Sequence, residues 1–281
     1  MGFFDLTRPE HAYLFGFLQC DGHLTENTRN RGRLSVELSI RDVALLERFQ
    51  ELVPYPTSIT TRTRTTNFAK RCTSAVWTLH AWEARRELIR LGLPVGRKSG
   101  IVRPPSAAFS KADYLRGLVD ADGSVGFMTD GTVPFVSLTT ASGALKDFFI
   151  ESCPRLIGAP RGRLRNARDG VYNLLVIREA AVAVARRLYY DGCLAIPRKL
   201  DTARHVQNWV RPPGMRVATP RRPWSTAEDV VVLRNTIAEA ARMLGRTPKS
   251  VNVRRWRLAS VARIRSRALA LREPRLFYDP L

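Results

Sequence analysis

Residues 114–125, YLRGLVDADGSV, carry the pattern that decides the fold. Apolar side chains recur at helical spacing around Gly117, which predicts an amphipathic helix. Asp120 and Asp122 follow at the end of this helix, immediately before Gly123. The C-terminus of a helix carries partial negative charge, so acidic side chains are disfavoured there. We therefore expect a bound cation near these carboxylates.

The same pattern occurs earlier in the chain, at residues 13–24, YLFGFLQCDGHL. The Tyr, Leu, Gly, Asp and final Gly of the two stretches align, and each pair of residue numbers differs by 101. The offset returns in the pairs Arg97-Lys98 and Arg198-Lys199. Two units at one fixed offset indicate a duplication, not a solenoid.

Each half is predicted to run α-β-β-α-β-β-α. In the first half we expect a helix from a Thr7–Glu10 capping box to about Cys20, strands near 23–28 and 33–40, a helix capped by Asp42, strands near 57–66 and 74–81, and a helix near 82–91. In the second half we expect a helix at 111–121, strands near 124–129 and 133–139, a helix from Ser142, strands near 161–168 and 171–177, and a helix at 179–190. The predicted class is α+β with antiparallel sheets.

Beyond the duplication, the composition changes. Residues 208–223 contain four prolines and several basic residues, which predict an extended linker. In residues 224–260 one helix is expected to end at Gly245, and Thr247-Pro248 begins another. The predicted domains are therefore 1–105, 106–207 and 224–260, followed by a basic tail at 261–281.

The bulk charge favours a polyanionic partner. The chain has 46 Lys and Arg residues against 25 Asp and Glu, a net charge of +21 and a pI near 11.1. Nucleic acid is the expected partner, although a ribosome-associated or membrane-surface protein would also be basic. No apolar run is long enough for a membrane span, no signal peptide is recognised, and the four cysteines form no CxxC pair. We expect an intracellular protein of the cytoplasm or nucleoid.

With the repeated pattern L-x-G-x-x-x-x-D-G established, a resemblance can be named. The segments LFGFLQCDG and LRGLVDADG resemble the motifs of single-chain, two-motif LAGLIDADG homing endonucleases, over about residues 8–207. The resemblance implies two pseudo-symmetric αββαββα repeats with antiparallel DNA-binding sheets. Because Gly16 and Gly117 lack side chains, the two motif helices are expected to pack closely. A phage-encoded or intron-encoded origin fits this family.

Asp21 and Asp122 are the predicted metal ligands. Close packing of the motif helices would make the two carboxylates neighbours, and divalent cations would relieve their repulsion. The resemblance implies two or three Mg²⁺ ions, for which Mn²⁺ or Ca²⁺ can substitute. Backbone oxygens are the further candidate ligands: Cys20, Gly22, Ala121 and Gly123. The alternative is that each Asp-Gly pair only forms a turn that stops its helix.

Four further residues are expected at the site. Gln19 and Asp120 occupy the sixth motif position and are predicted to support the helix ends, with Gln19 departing from the family's Asp. Lys98 and Lys199 are predicted to act in catalysis by stabilising charge on the phosphate. Equally, the two lysines could contact flanking phosphates from loops.

DNA contacts are expected from arginines on exposed strand faces, where they could pair with guanine or hold phosphates. The candidates are Arg29, Arg31, Arg33, Arg62, Arg64, Arg161, Arg163 and Arg165. The segment after Trp224 resembles a Myb/SANT-like or nuclease-associated helix-turn-helix. Its predicted recognition face is Lys249, Asn252, Arg254 and Arg255, with Val251 and Trp256 towards the core. Alternatively, this segment is a small helical cap on the nuclease core.

These observations predict a monomeric, Mg²⁺-dependent endonuclease that cuts double-stranded DNA at a long, pseudo-palindromic site. The alternatives are a transcription regulator that binds DNA without cutting it and a maturase that helps an intron RNA to fold. Retention of both Asp21 and Asp122 favours the nuclease over the regulator, although a maturase could also keep them.

Overall fold

The chain divides into two units, residues Met1–Ala218 and Thr219–Leu281, each with its own apolar core. The structure is a computed structural model that describes residues 2–25, 27–65, 71–128, 131–153, 162, 164–215 and 222–270. No described helix is both long and apolar enough to cross a membrane.

The first repeat has the predicted order of elements. They are α1 (Pro9–Asp21), β1 (His23–Thr25), β2 (Arg33–Ser39), α2 (Val43–Leu52), β3 (Thr57–Arg64), β4 (Cys72–Leu79) and α3 (Trp82–Arg90). The strands form an antiparallel sheet in the order β1-β2-β4-β3. One face of this sheet is apolar, with Val36 of β2 paired to Trp77 of β4, and the other face is polar.

The second repeat follows the same plan. Its elements are α4 (Lys111–Asp122), β5 (Gly123–Phe127), β6 (Pro134–Thr140), α5 (Gly143–Ser152), β7 (Tyr172–Ile177), α6 (Glu179–Leu188) and α7 (Pro197–Gln207). The described strands are antiparallel in the order β5-β6-β7. The α+β class with antiparallel sheets is therefore confirmed.

The prediction for this repeat needs two corrections, one wrong strand and one missed helix. The strand near 161–168 is wrong for residues 164–168, which form a bend and a turn, while Arg161 and Arg163 lie outside the described residues. Helix α7 was not predicted, although Pro197 at its first position is a known helix start.

The predicted helix caps are partly wrong. Helix α1 begins after Arg8 without a side-chain cap, and Thr7 donates its hydroxyl to Asp5 instead of joining a capping box. Asp42 precedes α2 but does not cap it, because its carboxylate pairs with the Arg198 guanidinium at 2.9 Å. Ser142 does cap α5, as predicted, by accepting a hydrogen bond from the backbone amide of Leu145.

The C-terminal unit contains three described helices. They are α8 (Thr226–Arg234), α9 (Ile237–Leu244) and α10 (Pro248–Ala270). Helix α9 ends at Gly245 in the left-handed region, with φ of 59°, as the sequence predicts. Val251 of α10 is buried, as expected. The prediction for Trp256 is wrong, because its side chain is 69% exposed.

Candidate metal centre at the ends of the motif helices

The two motif helices, α1 and α4, pack with their backbones in direct contact. A Cβ atom at Gly16 would lie 2.4 Å from the backbone oxygen of Tyr114, and one at Gly117 would lie 2.2 Å from that of Tyr13. Each glycine therefore faces the tyrosine that immediately precedes the opposite motif. This reciprocal contact relates the helices by a pseudo-twofold axis and leaves no space for a side chain at either glycine.

Reciprocal hydrogen bonds hold the same two helices. The Tyr13 hydroxyl donates to the Asp120 carboxylate at 2.7 Å, and the Tyr114 hydroxyl donates to the Gln19 side-chain oxygen. All four side chains are buried. The sixth motif position of each helix is thus bonded to the tyrosine that precedes the partner motif, which fixes the position of one helix along the other.

Asp120 and Gln19 also connect the motif helices to their surroundings. Asp120 accepts two further hydrogen bonds, from the Tyr189 hydroxyl at 2.7 Å and the Ile196 amide at 2.8 Å. Burial raises the pKa of Asp120 above its ordinary value, although these donors work in the opposite direction. The Gln19 amide nitrogen donates to the backbone oxygens of Gly92 and Arg103. Both side chains therefore lie where a supporting role was predicted.

Lys98 and Lys199 lie buried at the C-terminal ends of the motif helices, not on exposed loops. The Lys98 ammonium group donates to the backbone oxygens of Gln19 and Cys20. The Lys199 ammonium group donates to those of Val119, Asp120 and Gly123, at 3.0, 2.6 and 2.9 Å. Burial lowers the pKa of both lysines. A cation at a helix C-terminus offsets its partial negative charge, so each lysine stabilises the end that carries an acidic residue.

Two of the four backbone oxygens predicted as metal ligands already accept hydrogen bonds from the lysines. Those of Cys20 and Gly123 accept hydrogen bonds from the lysines. Those of Gly22, which follows Asp21, and Ala121, which precedes Asp122, stay candidate ligands.

Asp21 and Asp122 are the last residues of α1 and α4. Both residues reach solvent, yet partial desolvation, and then the neighbouring charge of Asp122, raise the pKa of Asp21 to about 6. Partial desolvation likewise raises the pKa of Asp122, although a hydrogen bond from the Cys20 thiol and the charges of Lys98 and Lys199 work against it. The two carboxylates therefore lie within electrostatic range of each other and of both lysines.

The glycines after the two acids serve close packing, not a left-handed turn. Gly22 and Gly123 have φ of −70° and −125°, which any residue adopts. A Cβ atom would lie 2.6 Å from the Leu18 oxygen at Gly22 and 2.2 Å from the Ser137 oxygen at Gly123. The chain thus passes directly from helix to strand, which argues against the interpretation of Asp-Gly as a helix-stopping turn.

The donor set fits a hard divalent cation such as Mg²⁺. Mg²⁺ is commonly held by one or two carboxylates, with waters and substrate phosphates as its other ligands. Asp21 and Asp122 supply two carboxylates, and the described residues contain no cluster of three or more His, Cys, Asp or Glu side chains that could hold a metal ion, so waters and phosphate oxygens would complete the ligand set. Asp21 and Asp122 would hold the ion.

Replacement of Asp21 by Asn is expected to stabilise the protein when metal is removed. Because the pKa of Asp21 rises to about 6 on folding, the folded chain binds its proton more tightly than the unfolded chain. This tighter proton binding stabilises the folded chain at about pH 4, and the stabilisation is lost as the pH rises through about 6. Above pH 7 the free energy of unfolding of the Asn variant should therefore exceed that of the unmodified protein by roughly 1 kcal/mol, once solvent screening is allowed for. Thermal unfolding in EDTA between pH 4.5 and 7.5 measures this, and parallel curves for the two proteins would contradict it.

Of the five predicted DNA-contact arginines of the first repeat, three lie on strands and two in a turn. Arg62 and Arg64 project from β3 and are exposed, and both pair with Glu37 of β2. Arg29 and Arg31 lie in the turn before β2, and Arg33 begins that strand. In the second repeat, Arg165 donates to the backbone oxygen of Gly170 in its loop.

Sequence reasoning missed Arg85, which is fully buried. Its guanidinium donates to the backbone oxygens of Thr25, Asn27 and Arg29, and so holds the loop between β1 and β2. A signal for it is the tripeptide ARR at 84–86, which recurs 101 residues later at 185–187.

The predicted recognition face of α10 is only half exposed. Lys249 and Asn252 are exposed, but Arg254 forms two 2.6 Å hydrogen bonds with Asp229. Arg255 donates to the backbone oxygens of Val232 and Asn235. Both arginines therefore hold α10 against α8. The exposed stripe of α10 is Lys249, Asn252, Val253, Trp256 and Arg257.

Comparison with known proteins gives structural likenesses only. No protein-family model and no curated protein matches the sequence. The chain is similar to the meganuclease I-SmaMI bound to uncleavable DNA, with 11% identity, TM-score 0.44, and coverage of 73% of this chain and 89% of that one. It is also similar to the homing endonuclease I-WcaI bound to its recognition sequence, with 11% identity, TM-score 0.44, and coverage of 69% and 87%. The N-terminal LAGLIDADG domain of WhiA gives 14% identity, TM-score 0.43, and coverage of 72% and 89%. The functional argument therefore rests on the site geometry.

Proposed function

We propose that this protein is a divalent-metal-dependent endonuclease of double-stranded DNA, built on the LAGLIDADG plan. The observation that carries the proposal is the convergence of Asp21 and Asp122 at the ends of two helices that touch through Gly16 and Gly117. Two carboxylates related by a pseudo-twofold axis suit the two strands of a duplex, which are themselves related by a twofold axis. A monomer would then carry both cutting positions.

In the proposed mechanism the protein keeps the metal-binding side chains in fixed positions and offsets their negative charge with two lysines. When bound, a divalent cation would polarise the scissile phosphate and lower the pKa of an attacking water. Asp21 and Asp122 would hold the cation, whose charge would offset the repulsion between the two carboxylates. Lys98 and Lys199 stabilise the helix ends and limit the negative charge near the phosphate. Tyr13, Tyr114 and their partners keep the carboxylates at a fixed separation, which in-line attack requires.

The C-terminal unit is proposed as a second DNA contact. A cavity of about 690 Å³ lies beside the N-terminus of α10. Its charged lining residues are Arg222, Arg246, Lys249, Arg254 and Arg257. The Arg246 guanidinium lies 3.9 Å from the Trp224 ring centroid and donates to Glu228, so this side of the cavity is held in place. Backbone amides of a helix N-terminus and unpaired cations suit a DNA phosphate.

Replacement of both Lys249 and Arg257 by alanine should weaken binding to all duplexes by a similar factor. Each phosphate contact releases about one counterion, so the slope of log K against log salt should fall in magnitude by about two. Fluorescence anisotropy at several salt concentrations measures the slope. The control is Arg234→Ala on α8, which removes a charge outside the exposed stripe of α10. An unchanged slope for the double variant would contradict a role for α10 in DNA binding.

The proposed function is tested by cleavage of a randomised duplex library, with sequencing of the new ends. In Mg²⁺ the full chain should give double-strand cuts at one family of related sites, and in EDTA none. Tight, sequence-selective binding without cuts in Mg²⁺ or Mn²⁺ would contradict the endonuclease and favour a transcription regulator. Preferential binding of structured RNA over duplex DNA would favour a maturase.

A further inference from the structure

The outer faces of the two sheets differ in chemistry, although the two repeats share one plan. On the first sheet, the outer face includes Arg33, Glu37, Arg62 and Arg64 among serines and threonines. On the second, the outer face of the three described strands carries no charged side chain. Its members are Ser124, Gly126, Phe135, Ser137, Thr139, Asn173, Leu175 and Ile177. A duplex held across both sheets would therefore meet two different surfaces.

Glu37 organises the charged group on the first sheet. Arg62 donates to both of its oxygens, from Nε at 3.3 Å and from Nη2 at 2.6 Å. Arg64 donates through Nη2, and the Ser74 hydroxyl donates at 2.6 Å. Although its partial burial works the other way, these hydrogen bonds hold the pKa of Glu37 below its ordinary value, so the carboxylate stays ionised. The three partners approach from two neighbouring strands and fix the carboxylate on the sheet.

The pairing with Glu37 leaves one hydrogen-bonding edge of the Arg62 guanidinium able to donate to a DNA base. The Nε and Nη2 groups face Glu37, while Nη1 has no hydrogen-bond partner among the described residues. The outer edge, formed by Nη1 and the second proton of Nη2, can still donate two parallel hydrogen bonds. Guanine presents two acceptors, O6 and N7, at the matching spacing in the major groove. An arginine already fixed by a carboxylate loses less conformational freedom on binding than a free one.

The second sheet offers groups suited to A·T pairs. Asn173 accepts a hydrogen bond from the Thr139 hydroxyl at 3.2 Å, and its side chain is exposed on β7. Asparagine pairs with the N6 and N7 edge of adenine. Leu175 and Ile177 follow on the same face, and apolar side chains contact the thymine methyl group.

We infer that Arg62, held by Glu37, recognises a guanine in the half-site under the first repeat, whereas Asn173 recognises an adenine in the half-site under the second. The inference rests on the proposed function, since it names the bases that the same DNA-binding sheets select. Arg62 is then a specificity-determining residue, and Glu37 is its positioning residue. The target is asymmetric, with a G·C pair in one half and A·T pairs in the other.

The experiment selects duplexes from a random library with the full chain in EDTA, so that binding is measured without cutting. The selected site is then changed one base pair at a time. We expect a guanine at one position whose replacement weakens binding about 5- to 140-fold, the range for a bidentate arginine contact.

Three variants assign these preferences to residues. Arg62→Ala should lose the same factor in affinity for the selected site and show no base preference at that position. Glu37→Gln, which keeps the shape but loses the charge, should reduce the preference there and leave other positions unchanged. Asn173→Ala should remove a preference for adenine in the opposite half.

Arg48→Ala is the matched control. Arg48 is an exposed arginine on α2 that also pairs with a glutamate, Glu51, but α2 packs on the apolar face of the sheet. This variant should keep every base preference. If Arg62→Ala weakens all duplexes equally and reduces the salt slope by about one, Arg62 holds a phosphate and the inference is wrong. If no duplex is enriched at all, the proposed function fails and the inference fails with it.

Discussion

Replacement of Gly117 by alanine is expected to destabilise the unit Met1–Ala218 by about 3 kcal/mol or more, at or above the upper end of the range for overpacked cores. The added Cβ would lie 2.2 Å from the Tyr13 oxygen and 2.8 Å from the Phe17 amide nitrogen. Both atoms belong to the backbone of α1, so no side-chain rotation relieves the clash. The motif helices must separate or tilt, and either movement breaks the Tyr13–Asp120 hydrogen bond.

Urea or thermal unfolding measures this effect, with an expected fall in Tm of roughly 6–12 °C for a unit of this size. Gly143→Ala is the matched control, because Gly143 begins α5 and the nearest atom to its added Cβ is the Tyr172 hydroxyl at 4.0 Å. That variant should be neutral or up to about 1 kcal/mol more stable. Equal stability of the two variants would show that the motif helices do not pack through Gly117.

Replacement of Asp21 or Asp122 by asparagine is expected to reduce DNA cleavage at least about 100-fold, since loss of groups that merely orient metal ligands already costs 10- to 100-fold. Asparagine keeps the shape and one oxygen but loses the negative charge that a divalent cation requires. Affinity for the target in EDTA should be unchanged or slightly higher, because a negative charge near the phosphate is removed.

Single-turnover cleavage of the selected site, with binding measured alongside, separates these effects. Glu51→Gln on α2 is a control that removes one exposed carboxylate that belongs to neither motif helix. Each single Asp variant should fail to make double-strand breaks. Full double-strand cleavage by either variant would exclude that residue as an essential metal ligand.

Much of the fold could be predicted because the duplicated pattern gives each element two independent indications. Glycine in the middle of an apolar helix predicts close packing, and the structure places Gly16 and Gly117 in that contact. The alternation in residues 33–40 predicts β2 and its buried face. Helix α7 was missed because its few apolar residues are interrupted by charged ones, and only Pro197 marks its start.

The site could be predicted less completely, because it depends on contacts between residues far apart in sequence. Asp42 has the position of a helix cap, yet it pairs with Arg198 of the other repeat. Arg254 and Arg255 have the basic character expected of a DNA-binding face, yet both hold α10 to α8. The local sequence pattern identifies a charged residue, but it does not show whether that residue pairs with another part of the protein or with nucleic acid.

The measurement that most directly tests the central claim is Mn²⁺ binding, followed by electron paramagnetic resonance, to the chain on an uncleavable version of its selected site. Mn²⁺ takes the oxygen ligands of Mg²⁺ and gives a signal that does not depend on catalysis. The unmodified protein should bind Mn²⁺ on this DNA more tightly than the DNA alone does, and Asp21→Asn and Asp122→Asn should each weaken or remove that binding. Identical Mn²⁺ binding by the unmodified protein and both variants would contradict a metal centre at the ends of the motif helices.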